Sequence, residues 1–568
     1  DRRLPSVADR DGEYYLRQEG KGLLIGAYER DMRFWAEEGT PLDFAHDLFP
    51  DDLERIMENV MRAMDRVPAA AEAGVKRVIN GPMIWSPDSN VILGPVPELR
   101  NYFMCGGIIP GFSQSAGMGL MVAQWIVEGE MQYDMFPWDV ARFGLWANDR
   151  EFVKAKVRDV YAHRFAIHYP NEERAAGRPL RTRPAYRMQR EMGAVMGLNY
   201  GWEHPLWFAD TPDHVDTNGF TRQNWWEGVG REARMLRDHA GIIDISNFAR
   251  YRVTGAGAEE WLNAVFANRM PRAVGRSCLT PLIGKRGGIA GDATVTRLAE
   301  DEFLVISSGM AERYHSRFFA EVPLPEDTVF ESVTEAMCGF NVAGPKSRAL
   351  LQRLTNASLA TADFPFMRSQ RITVAGIDVI ALRVSFTGDL GWELHCDQKD
   401  QLALYTALLD AGRDLGAGPV GSRALMSLRV EKGYGSWSRE YSPEYWPQEV
   451  GLERLVKMDK EFLNKDAVAR VLEKTARETL VLMEIDADAV AASNADATGG
   501  EPIFKDGQGI GRVSSGTYGY SVGKSLALGF VKNAAPGDRV EVMILGRPHG
   551  ATILHEPPFD PAGEKLRA

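Results

Sequence analysis

The stretch GKRGGIAGDATVTRL, residues 284–298, sets one acid, Asp292, among small and β-branched residues just after a glycine-rich turn. A hairpin needs the glycines but not a carboxylate at that point. Asp292 is therefore either a turn-capping residue or an acid kept for chemistry. A second pattern, NYFMCGGIIPGFSQSAGMGLMVAQWIVEGE from Asn101 to Glu130, leads a buried strand into a loop holding Gly106, Gly107, Gly111, Gly117 and Gly119. It predicts a helix from about Ser115 to Gly129. A helix N-terminus directs unpaired N–H groups and partial positive charge at whatever lies before it, and glycines let a ligand approach the backbone closely. The loop suits an anionic or electron-accepting group, and it suits equally a tight strand-to-helix turn packed on a neighbour. It is not a dinucleotide-binding fingerprint, because the spacing is wrong and the βαβ unit with its downstream ribose-binding acid is absent.

Other chemistries find no support. The ten histidines form no HExxH, and Cys105, Cys278, Cys338 and Cys396 lie far apart with no CxxC spacing. Neither a zinc site nor a disulfide framework is expected, and a reducing compartment fits best. A net charge of −12 argues against nucleic acid or an anionic membrane as the main partner. No apolar run approaches the ~20 residues of a spanning helix, and DRRLPSVADRDGEYYLRQ is charged from its first residue, unlike a signal peptide. The expected setting is intracellular: cytoplasmic, or the mitochondrial matrix if the source is eukaryotic.

These residues need several cores to position them. A chain of 568 residues exceeds one domain of roughly 100–200 residues, and 45% hydrophobic residues can fill large interiors. Residues 11–29 predict two short strands around a glycine turn, placing Tyr14 and Tyr15 on opposite faces. In DDLERIMENVMRAMDRV, residues Leu53, Ile56, Met57, Val60, Met61 and Met64 predict one apolar helix face. NEERAAGRPLRTRPAY is polar, aperiodic and rich in Arg and Pro, and reads as a linker. Hairpins and helices alternate beyond it, and from about residue 478 strands dominate, predicting a small β-barrel or sandwich. The chain starts without methionine, inside what reads as a strand-rich domain, so a fragment, a processed chain or one part of a larger protein is expected.

Two sets of motifs carry a resemblance. YYLRQEGKGLLIGAYE, INGPMIWSPDSNVILGPVPELRNYFMCGG and SAGMGLMVAQWIVEGE look like the C-terminal part of the flavoprotein half of the dimethylglycine/sarcosine dehydrogenase family. GWEHPLWFAD, GIIDISNFARYRVTGAGAEEWLN, GDATVTRLAEDEFLVIS, FTGDLGWELH and SLRVEKGYGSW resemble the aminomethyltransferase (T-protein) of the glycine cleavage system, and more closely the folate-binding half of the same dehydrogenases. GTYGYSVGKSLALGFV matches the terminal β-domain of both.

The resemblance implies an α+β protein. Residues 1–130 would be the C-terminal, substrate-side part of an amino-acid-oxidase-like flavoprotein domain. Residues 131–186 would connect it to a T-protein-like body at 187–470, with a small terminal β-barrel at 471–568. It implies FAD against Gly106, Gly107, Gly111 and Gly117, with the phosphate clamp in a missing N-terminal part or subunit, and a small methylated amine bound by Tyr15. In the folate half it implies tetrahydrofolate beside Asp292 as the acid/base residue, with Glu393 on the pterin and Phe386 at the position of a folate-holding tyrosine. The implied activity is oxidative N-demethylation of a dimethylglycine- or sarcosine-like amine, with the one-carbon unit passed to give 5,10-methylenetetrahydrofolate. Three departures stand against full folate contact. Phe386 replaces tyrosine, Ile283 and Gly284 replace LN ahead of Lys285 and Arg286, and Gly435 replaces a basic residue; each lost hydrogen bond costs ~0.5–1.5 kcal/mol. Two other readings remain: a flavin-independent folate-dependent transferase serving a separate flavoprotein subunit, and a non-catalytic scaffold with degenerate sites.

Overall fold

The structure is a computed structural model, and it describes residues 4–568. Val7–Asp9 (β1), Tyr14–Glu19 (β2) and Gly22–Ala27 (β3) form a small antiparallel sheet. The helix Met57–Arg66 (α1) packs on this sheet through Val60 and Ala63, where Tyr14 and Leu16 are buried. Met57 and Met61 instead face solvent. Glu54–Ile56 is a tighter 3₁₀ turn that takes Leu53 and Ile56 out of α-helical register with α1, and within α1 the buried side is that of Val60 and Ala63 rather than that of Met57 and Met61.

Ile92–Pro95 (β4) pairs with Phe103–Gly106 (β5), and the chain then enters the helix Gly111–Glu128 (α2). The helix starts four residues before the expected Ser115. Pro110 stops the chain just ahead of it, and the N–H groups of Ser113 and Gln114 both donate to the Pro110 carbonyl at 3.1 Å. Gly129 ends it at φ +78°, the left-handed cap conformation that glycine adopts without a Cβ penalty. A further helix, Arg150–Ala162 (α3), is capped by the Asp149 carboxylate, which accepts from Phe152 N–H.

The segment expected as a linker is pinned rather than free. Arg178 binds Glu203 at 2.6 and 2.9 Å. Arg181 and Arg183 lie over the Trp202 ring at 3.8 and 3.6 Å, and Arg183 donates to the carbonyls of Thr334, Glu335 and Ser246. Arginine-rich polarity here serves carbonyl and carboxylate acceptors on the body, not solvent.

Ala194–Asn199 (β6) and Trp202–Phe208 (β7) form a hairpin. Eleven strands follow: Gly241–Asp244 (β8), Ala249–Thr254 (β9), Ser277–Ile283 (β10), Ile289–Ala299 (β11), Glu302–Ser307 (β12), Val329–Ser332 (β13), Met337–Ala343 (β14), Ser369–Val374 (β15), Ile377–Leu382 (β16), Gly391–Asp397 (β17) and Gly418–Val420 (β18). They sort into two sheets, ordered β10-β11-β12-β9-β13 and β15-β16-β17-β14-β8-β18. Each sheet packs helices on one face, around Trp261 and Phe303 in the first and Trp392 and Phe340 in the second. Their other faces meet through Leu304, Ile306, Ile380 and Leu382. The terminal domain is a closed barrel of Thr479–Ile485 (β19), Pro502–Lys505 (β20), Gln508–Gly519 (β21), Lys524–Val531 (β22), Arg539–Ile544 (β23) and Arg547–Ile553 (β24), in the order β19-β22-β21-β20-β23-β24. The architecture is α+β, with a terminal barrel.

The first part docks on the body by charge. Arg313 reaches Glu98 at 2.7 Å, and Arg317 reaches Asp139 at 2.6 Å, both from the helix Glu312–Phe319. The C-terminal end of α2 also meets the β10–β11 hairpin, where Arg286 N–H donates to Glu130 at 2.8 Å and its guanidinium to Glu128 at 2.7 Å.

Candidate functional site

Asp292 lies on β11 opposite Pro281 of β10, a residue with no N–H to offer. Alternate residues of a strand share a face, so Asp292 goes with Thr294 and Thr296, which pair with Ile306 and Leu304 of β12. That face is turned toward the second sheet. Burial pushes the Asp292 carboxyl up to about 6, against a partial pull downward from its own backbone N–H. A carboxyl in this range exchanges a proton near neutral pH, as a general acid or base must.

The same register argument places Glu393. It pairs with Leu382 of β16, and His395 pairs with Ile380, so both acidic and imidazole side chains share the inter-sheet face. Both candidate carboxylates thus open on the space between the sheets. Glu393 is oriented from behind. Buried Arg250 donates Nε–H to His395 Nδ1 at 3.2 Å, which leaves the proton of a neutral imidazole on Nε2. Nε2 lies 3.3 Å from Glu393 Oε2. Burial lowers the His395 pKa, so the neutral form is the one favoured.

Neighbours that sequence reasoning missed complete the surroundings of Asp292. Burial raises the Tyr441 hydroxyl pKa, and the Asp292 charge raises it further. Beneath β11, Trp437 Nε1 donates to the Ala290 carbonyl at 3.0 Å. A Cβ on Gly291 would fall 2.3 Å from His315 Nε2, so glycine there admits the buried His315, whose pKa is pushed down to about 4 by burial. No spacing signal links these residues to Asp292; only the folded hairpin does.

The departures take on other roles in three dimensions. Phe386 stacks on Tyr434, with ring centroids 6.0 Å apart and planes at 22°. Gly435 admits the Tyr441 ring, which a Cβ would meet at 2.6 Å. Gly284, Lys285 and Arg286 follow directly on the end of β10. They form the hairpin tip docked on α2, where a Cβ on Gly284 would fall 2.4 Å from Glu130 Oε1 and Lys285 pairs with Glu321 at 3.2 Å. The hairpin turn thus carries these residues onto the end of α2.

The other candidates gather at the opposite end of α2. Gly106 ends β5, Gly107 takes φ +67°, Gly111 opens α2 and Gly117 lies on it. Cβ atoms on Gly111 and Gly117 would meet nothing within 4 Å. Both positions therefore leave open space beside the first turns of α2, room for a planar ring near the helix N-terminus. Tyr15 projects from β2 at 38% exposure while Tyr14 is fully buried and bonds Asp9 at 3.1 Å. The Tyr15 ring lies over Gly26 and 6.2 Å from Tyr28. Asp292 and Glu393 thus both face the space between the two sheets, whereas the loop before α2 and residues at the edge of the first sheet line one cavity at the other end of α2.

Comparisons with known proteins follow the same division. Residues 2–125 match the family model "FAD dependent oxidoreductase", 128–182 its central domain, 185–460 "GCVT N-terminal domain" and 479–560 "Glycine cleavage T-protein C-terminal barrel domain". The chain is 34% identical to mitochondrial dimethylglycine dehydrogenase of Homo sapiens over 98% of its own length, and spans 65% of that protein. It is 32% identical to 4-methylaminobutanoate oxidase (formaldehyde-forming) of Paenarthrobacter nicotinovorans over 99% of its length, and spans 68% of that protein. Among solved structures, glycine cleavage system aminomethyltransferase T from Bartonella henselae superposes with a TM-score of 0.58 at 24% identity, over 67% of this chain and 99% of that one. Among the described residues no helix is long and apolar enough to cross a membrane.

Proposed function

Because this chain belongs to the dimethylglycine/sarcosine dehydrogenase family, we propose that it serves the oxidative N-demethylation of a small methylated amino acid and the transfer of the released carbon to tetrahydrofolate. The observation that carries this reading is Asp292. Burial holds its carboxyl at about pKa 6, no cation among the described residues pairs with it, and it opens on the same inter-sheet space as the oriented Glu393. Bound FAD would supply the hydride acceptor, and bound tetrahydrofolate the nucleophilic nitrogen that captures the carbon.

The chain's own residues do the rest. Gly106, Gly107, Gly111 and Gly117 would hold the flat face of the flavin at the start of α2, whose dipole favours the negative charge that grows there on reduction. Tyr15 would orient the amine. Asp292 takes the proton that an attacking amine nitrogen must shed and stabilises the passing cation. Glu393, steered by His395 and Arg250, accepts hydrogen bonds from adjacent ring N–H groups. Phe386 offers an apolar wall where a hydroxyl would stand, so folate would be gripped chiefly by the two carboxylates.

The test is an absorbance spectrum of protein made from its complete reading frame, before and after anaerobic dimethylglycine or sarcosine. Bleaching of a flavin band is expected, and a colourless protein sinks the oxidative half. Asp292→Asn is expected to keep the bleaching but to release formaldehyde in place of 5,10-methylenetetrahydrofolate; unchanged transfer would sink the second half.

A further inference from the structure

A cavity of about 580 Å³ opens between the first sheet region, the start of α2 and the chain following α3, within the size range of small-molecule sites. Pro110, the residue before α2, lies on its wall together with Trp85, Arg10, Arg164 and Arg174. Its charges do not balance. Asp88, the carboxylate on the wall, is committed to Arg142 at 2.7 and 2.8 Å and to Ser86 at 3.0 Å. Arg174 lies 3.5 Å from both Asp159 and Glu172 and 3.1 Å from His168. Among the described residues Arg10 hydrogen-bonds to the Phe165 carbonyl alone, at 3.4 Å.

Arg164 is the residue left over. Among the described residues no carboxylate reaches it. Its guanidinium is instead held over two rings, 4.3 Å from the centre of Tyr28 and 5.3 Å from that of Trp85. Ring faces hold a cation without consuming its in-plane N–H donors, so the fork remains available to a planar anion. A second donor is idle nearby: Trp85 Nε1 is shielded from solvent and has no acceptor among the described residues. Tyr28, which carries Arg164, is also the aromatic neighbour of Tyr15 at 6.2 Å.

We propose that Arg164 anchors the carboxylate of the amine substrate in this cavity and so selects N-methyl amino acids over simple methylamines. This rests on the oxidative reading above. A guanidinium fork matches a carboxylate with two parallel hydrogen bonds, and the surplus positive charge contributed by Arg10 disfavours a cationic amine that brings no anion with it. The amine end of the ligand would then lie toward Tyr15 and the glycine loop.

The experiment is calorimetric titration of the holoenzyme with dimethylglycine, with acetate as a carboxylate-only probe and with trimethylamine as an amine-only probe. Wild type, Arg164→Gln and Arg164→Lys are compared. Wild type is expected to bind dimethylglycine and acetate and to reject trimethylamine. Arg164→Gln should weaken both carboxylates by about 10-fold or more, and Arg164→Lys should recover part of the loss, since it keeps the charge but not the fork. In turnover KM should rise by the same factor while kcat changes little. Unchanged carboxylate affinity in Arg164→Gln, or trimethylamine binding as tight as dimethylglycine, overturns the proposal. If Arg164→Gln does not fold, the lysine variant and the wild-type probe series decide it. Carboxylate binding that depends on Arg164 without flavin bleaching would keep the anchor and remove the oxidative reading; bleaching with affinity indifferent to Arg164 would do the reverse.

Discussion

Replacing Asp292 by asparagine keeps the shape and removes the charge, and its effect on stability should depend on pH. The carboxyl is raised from 3.8 to about 6 by burial. Two units correspond to ~3 kcal/mol, and the side chain's partial contact with solvent reduces this to ~1–2 kcal/mol. A folded-state pKa above the unfolded one means that the folded protein binds the proton more tightly. The associated stability is complete below pH 3.8 and is lost as pH rises through about 6. Asparagine mimics the neutral acid at every pH, so variant and wild type should match near pH 4, and the variant should be the more stable at pH 8. Calorimetric scans between pH 4 and 8, following the transition of the two-sheet body, would show this. At ~2–4 °C per kcal/mol, a lead of several degrees should open across pH 4–6 and then stay constant. A gap independent of pH, or a more stable wild type at pH 8, would refute the reasoning and mean that the folded carboxylate has a partner. The transfer rate in wild type should rise through the same window as the base form appears.

Two further substitutions probe the surroundings. Gly435→Arg would set a Cβ 2.6 Å from the Tyr441 ring; we expect a loss of ~1–3 kcal/mol in denaturant unfolding and no gain in folate affinity by titration, against the idea that the basic residue alone is missing. Arg429→Met would leave Glu440 charged and buried where the pair now stands at 2.9 Å, at a cost of ~3–5 kcal/mol. Because Arg429 and Glu440 both bond Ser515 of β21, limited proteolysis should show the terminal barrel coming loose first.

The order of domains was legible because motifs and periodicity are local. The glycine-rich turn before Asp292, the strand-dominated stretch from about residue 478 and the glycine closing α2 at Gly129 all report on their immediate neighbours. Asp292 and Glu393 could be singled out from their motifs, but not that they share one face: that follows from the pairing of β11 with β12 and β16 with β17. Tyr441 and His315 carry no spacing signal relative to Asp292, since long chain excursions return them. The methionines of α1 read as core, yet Val60 and Ala63 take the buried side, because which side of the helix is covered depends on β2 and β3, distant in the chain. The arginines at 178, 181 and 183 looked like a solvated linker because their acceptors, Glu203 and several backbone carbonyls, come from distant elements.

The helix α2 works as a ruler. Its first residue faces the glycine loop and the Arg164 cavity, and its last turn is clamped to the hairpin that leads into β11 and Asp292. Eighteen residues at 1.5 Å each fix the two ends ~27 Å apart. One inserted residue would advance the clamp by ~1.5 Å and turn it by ~100°, carrying Glu128 and Glu130 off Arg286. The length of this single segment is therefore a quantity the protein cannot vary freely, even at positions whose side chains touch nothing.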